Sequence, residues 1–167
     1  MNTSYDVLHL VNSYGAFGSI TRPRYEVIVE GTDETVVTPQ TRWREYEFKG
    51  KPGDPMRAPP QIAPYHLRLD WLMWFAGFTP YYEEPWFLNF VAKLLQNDAP
   101  TLSLIAKNPF PDGPPKYVRA LLYEYHFTTP EEHQRTGAWW KRELKGDYFP
   151  IVSLDDPSFQ GALESEW

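Results

Sequence analysis

The longest alternating run in the chain, Lys116 to Thr128 (KYVRALLYEYHFT), sets the firmest limit on its fold. A run of that length with period two belongs to a sheet, because successive strand side chains point to opposite faces. One face carries Tyr117, Arg119, Leu121, Tyr123, Tyr125 and Phe127; the other carries Val118, Ala120, Leu122, Glu124 and His126. The second face begins apolar and ends polar, with the acid and the imidazole about 7 Å apart along the strand. If that end looks into a cavity, a partly desolvated acid and imidazole can move a proton or orient a polar ligand. If it emerges into solvent, both are ordinary surface residues. The residues alone leave both readings open.

Further strands follow from the same reasoning. Arg24 to Glu30 places Tyr25, Val27 and Val29 on one face. Gly31-Thr32-Asp33 reads as a turn into a second strand, Glu34 to Thr38, which would make a hairpin. Arg42 to Phe48 and Gly137 to Leu144 are two more candidates. A helix is expected over Pro85 to Gln96, where Glu83 and Glu84 sit near the positive pole and Leu88, Val91, Leu94 and Leu95 form the stripe. Thr101 is a candidate cap for a second short helix, and Thr129-Pro130-Glu131-Glu132 starts another. His66 to Phe78 reads as a strand or turn passing into a short buried helix near Asp70. Val7 to Val11 is a short apolar opening and Asn12 to Gly18 a loop. The expected fold is mainly β with short helices, a β-rich α+β class. It is either an antiparallel curled sheet or a closed β-barrel, decorated by two to four short helices, in a single domain over residues 1–167.

Rings and prolines shape the rest. The chain holds 7 Trp, 11 Tyr, 10 Phe and 17 Pro, so large rings supply much of the buried area and line walls as well as fill cores. Proline and glycine crowd into Lys49 to Pro64, an irregular surface excursion. The net charge of -6 disfavours a nucleic-acid partner. With no cysteine, disulfides and thiol chemistry are excluded. Leu67 to Phe78 is too short to cross a bilayer and carries Arg68 and Asp70. The N-terminus has no basic region leading into an apolar one, so no signal peptide is expected.

Asp70, set among Leu69, Trp71, Leu72 and Trp74, is costly to bury alone. It needs Arg68, Arg44 or backbone donors as a structural partner, or it is a ligand-binding carboxylate. The candidate pocket residues are Glu124, His126, Asp70, Trp74, Arg44 and Tyr46. The four histidines His9, His66, His126 and His133 fall in no metal-ligand spacing, and no GxSxG is present. No metal, no cofactor and no specific catalytic residue is expected.

Several stretches, in order, resemble the lipase maturation factor family. They are LVNSYGAFGSITRPRYEVIVEGT (Leu10 to Thr32), WREYEFKGKPGDP (Trp43 to Pro55), APYHLRLDWLMWFA (Ala63 to Ala76), LIAKNPFPDGPPKYVR (Leu104 to Arg119) and TGAWWKREL (Thr136 to Leu144). The resemblance implies the soluble C-terminal domain of a membrane-anchored protein, sited in the endoplasmic reticulum in animals and the cell membrane in bacteria. It implies a chaperone-like interaction role that assists folding or assembly of a secreted lipase. It carries no catalytic residues. A more distant resemblance, to pyocyanin demethylase-like β-barrel proteins, implies the alternative of a barrel that binds or oxidises a flat aromatic compound. A barrel would also favour a homo-oligomer such as a trimer, which protects strand edges.

Overall fold

The computed structural model describes residues 23–61 and 64–164. The apolar opening and the loop expected over residues 7–18 lie outside the described residues. Four strands, β1 (Arg24–Thr32), β2 (Arg44–Glu45), β3 (Tyr117–Phe127) and β4 (Trp140–Val152), form one antiparallel sheet in the order β2-β1-β3-β4. β1 and β3 pair along their whole length, from Arg24 opposite Tyr125 to Thr32 opposite Tyr117. Register irregularities between β3 and β4 help curl the sheet.

Alternation decides which side chains meet. Val27 and Val29 of β1 share a face with Val118 and Ala120 of β3, and all four are fully buried. Helices α1 (Arg68–Ala76) and α2 (Pro85–Leu95) contribute to the same core. The stripe on α2 is as expected, with Leu88, Val91, Leu94 and Leu95 all buried. Phe87 adds a ring with 0% exposure that meets Phe149 at 5.5 Å and Tyr148 at 5.2 Å. Tyr46, Phe48, Phe110 and Phe159 close the flanks of this cluster.

A 3-10 turn (Tyr81–Glu83) and helices α3 (Ala99–Ser103), α4 (Pro130–Thr136) and α5 (Pro157–Glu164) complete the elements. Thr129 caps α4 in a reciprocal box with Glu132, and Gly137 ends it at φ 74°, a left-handed position that suits glycine. The α3 cap is Asp98, whose carboxylate accepts from the Thr101 N–H, so Thr101 is the capped residue and not the cap.

Other expectations need correction. Of the two architectures expected, the antiparallel curled sheet is the one present and the closed barrel is not: the outer strands, β2 and β4, do not pair with each other. Five α-helices are present among the described residues, against the two to four expected. Glu34 to Thr38 forms no strand. Gly31, read as a turn, is a paired residue inside β1. A Cβ there would lie 2.7 Å from the Phe110 ring, so the glycine permits close packing and leaves the strand intact. β4 runs on to Val152 through Pro150, which an edge strand tolerates because its missing N–H breaks no ladder bond on the outer side.

The outer edge of β1 is sealed by three different devices beyond β2. Val29 O accepts from the Tyr46 N–H at 3.0 Å. Val27 O accepts from the Lys51 ammonium at 3.0 Å. Gly77 approaches Tyr25 so closely that a Cβ would lie 2.5 Å from its carbonyl oxygen. These contacts bring α1 and the Lys49–Pro55 excursion to the end of the sheet where β1 begins and β3 finishes.

Candidate functional site: an aromatic cleft at the open end of the sheet

A cleft of about 620 Å³ opens at that end, lined by α1, the start of β1 and the adjoining ends of β3 and β4. Its walls are mostly rings. On one side Trp71 and Trp74 of α1 lie 5.3 Å apart, Trp74 meets Phe78 edge-on at 5.5 Å, and His66 lies 5.2 Å from Trp71. On the other side Phe127 stacks on Trp140 at 4.1 Å, with Tyr125 beside them. Phe127 is 63% exposed and Phe78 47%, so apolar surface remains available at the mouth.

Beneath these rings runs a buried polar layer. Glu26 has 0% exposure and bridges two cations, Arg24 at 2.7 Å and Lys51 at 3.2 Å. Lys51 is itself buried, and its ammonium also donates to Val27 O and Pro52 O. Asp70 is 6% exposed and lines the cleft. Its Oδ1 accepts from the Gly50 and Lys51 N–H groups at 2.5 and 3.1 Å, while Oδ2 has no hydrogen-bond partner. Tyr125 donates to Gly53 O at 2.6 Å and accepts from Arg142, and burial pushes its hydroxyl above the usual range.

The six candidate residues divide between this cleft and other places. Asp70, Trp74 and His126 line it together. Glu124 reaches His126 at 3.1 Å but bonds more tightly to Lys145 at 2.6 Å, and that ammonium lowers its carboxyl below the usual range. Tyr46 is core, its ring 5.7 Å from Phe110. Arg44 stacks on Phe110 at 4.0 Å, pairs with Asp33 and donates to Pro109 O. It lines a second, charged depression of about 570 Å³ with Glu45, Glu47, Asp54 and Lys107. There, burial raises the Glu47 carboxyl above its usual value, reinforced by the nearby charge of Glu45.

Sequence reasoning did not find Trp140, Phe127, Arg24, Glu26 or Lys51 as site residues. For Glu26 a signal existed: it is an acid inside a β-branched run, on the strand face opposite Val27 and Val29. Lys51 carried none, because it lies in a proline-rich excursion whose path only the fold defines.

With this geometry in view, comparison with known proteins identifies the lineage. The profile of the family described as "Lipase maturation factor C-terminal domain" matches residues 10–150. The chain belongs to the lipase maturation factor family. It is 51% identical to human Lipase maturation factor 1 over 159 residues, covering 93% of this chain and 28% of that protein. It is 42% identical to human Lipase maturation factor 2 over 162 residues, covering 93% of this chain and 22% of that protein. Lipase maturation factor 2 of Gallus gallus aligns at 39% identity over 170 residues. The chain therefore spans about a quarter of the length of these relatives. No solved structure matches it. No described helix is long and apolar enough to cross a membrane. The demethylase-like alternative loses its architectural ground, since the sheet is open.

Proposed function

We propose that this domain assists maturation of a secreted lipase by holding a segment of the incompletely folded client against the aromatic cleft. Family membership supports the process, and the cleft supports the manner. The observation that carries the reading is the concentration of rings at one end of the sheet, where the exposed Phe78 and Phe127 flank a trough that Trp71, Trp74 and Trp140 also line. A contiguous apolar surface of this kind favours contact with another apolar chain. The buried layer beneath holds the walls in place, so binding need not order them first.

The test is secretion of active lipase from cells that lack their own factor and carry the full-length protein. Trp74→Ala combined with Phe127→Ser lowers active secreted lipase about fivefold or more if the cleft holds the client, as loss of two aromatic anchors costs well over 1 kcal/mol. Leu144→Ser, an exposed position on β4 outside the cleft, serves as the control and leaves secretion unchanged. Undiminished secretion from the cleft variant would refute the reading.

A further inference from the structure

Resting on that reading of the cleft, we infer that it selects client segments presenting a basic side chain, arginine ahead of lysine, with Asp70 as the receiving carboxylate. Three observations converge on a cationic donor. Asp70 is a buried acid whose Oδ2 is unpartnered, while Oδ1 is held by two backbone N–H groups. A buried acceptor without a donor is costly, and a ligand that supplies one recovers that cost. The walls beside Asp70 are indoles, whose faces attract cations. The cations already at the cleft are engaged: Arg24 pairs with Glu26 and lies 5.8 Å over the Trp140 ring, and Lys51 is bound to Glu26, Val27 O and Pro52 O.

Arg24 shows the mode of binding in miniature, with a guanidinium over an indole beside a carboxylate. A client arginine in the cleft would repeat it, with one N–H directed to the Asp70 carboxylate. The planar guanidinium stacks on a ring and sheds water more readily than an ammonium, which sets the preference over lysine. The net charge of -6 draws a basic segment toward the domain at long range. An acidic segment meets the opposite field and leaves Asp70 unanswered.

The probes are N-acetylarginine amide, N-acetylnorleucine amide and N-acetylglutamate amide, titrated into the chain while its indole N–H resonances are followed by NMR. Arginine amide should saturably shift the signals of Trp71, Trp74 and Trp140 and leave those of Trp43 and Trp86 in place. Norleucine amide should require about tenfold more, the value of one charged hydrogen bond, and glutamate amide should not bind. Asp70→Asn keeps an oxygen for the Gly50 and Lys51 N–H groups and should erase the advantage of arginine. Norleucine binding as tightly as arginine, or an unaltered arginine preference in Asp70→Asn, overturns the inference. Should Asp70→Asn fail to fold, the three probes on the native chain decide alone. Failure here, together with lost secretion in Trp74→Ala/Phe127→Ser, would leave the client-holding reading intact. Arginine binding with undiminished secretion would do the reverse.

Discussion

Val29 faces Ala120 across the β1–β3 pair toward one end, and Arg24 faces Tyr125 at the other. On the face of the sheet that holds the first couple the packing is apolar, with Val118, Phe87, Phe149 and the stripe of α2 at or near zero exposure, while Glu30, paired with Arg119, and Thr32 are buried on the other face. Around the second, Glu26, Lys51 and Asp70 are buried in its place, and rings stand over them open to the surface. Both ends belong to the same two strands, yet they exclude water by different means. Apolar packing gains free energy from every methylene it removes from water. A buried charge network gains little net, because desolvation offsets attraction, but it penalises any arrangement that leaves one member alone. The closed end thus supplies stability, and the open end holds a defined surface over a polar floor.

Phe87→Ala should have the largest effect, about 3–5 kcal/mol of lost stability, because the ring is fully buried and leaves a cavity. Urea denaturation measures it. An equal loss for Trp74→Ala, which is half-buried in the cleft wall, would erase the distinction between the two ends.

Lys51→Met comes next, at about 3 kcal/mol, since it leaves the buried Glu26 with Arg24 as its one remaining cation and Val27 O without the Lys51 donor. Adding Glu26→Gln should restore a good part of that loss. If the double variant were as unstable as the sum of its parts, the polar floor would be ordinary packing and not a coupled network.

The smallest effect concerns the charged depression around Glu47. Burial raises the folded-state carboxyl above the usual 4.5, so the folded chain binds that proton more readily than the unfolded one. The stability Glu47 contributes is therefore full below about pH 4.5 and is lost as pH rises through the raised folded value. Glu47→Gln should gain stability at pH 7, by less than Lys51→Met loses, and gain nothing near pH 4. A gain that persists unchanged at pH 4 would show that the carboxylate's charge is not the cause.

Period and chemistry along the chain determined a good deal without the fold. The alternation of Lys116 to Thr128 and of Arg24 to Glu30 identified two strands, though not that they pair with each other at the centre of the sheet, and the leucine and valine spacing after Pro85 identified α2. Local rules suffice there because each element's apolar face is written at its own period. The same rules failed at Gly31, where the demand came from Phe110, far away in sequence. They failed again at Pro150, where only the position of β4 at the sheet edge makes proline acceptable.

The candidate site was half legible. The sequence marked Asp70 and Trp74 as an acid and a ring needing explanation, and His126 as the polar end of an apolar strand face. Tertiary structure decided that these three meet, that Glu124 is taken by Lys145, and that Arg44 and Tyr46 stand elsewhere. Which oxygen of Asp70 lacks a donor, and that Lys51 joins Arg24 as a second cation on Glu26, depends on where the Lys49–Pro55 excursion crosses the end of β1. That path is set by packing between residues some twenty to seventy positions apart, and no periodicity in the chain encodes it.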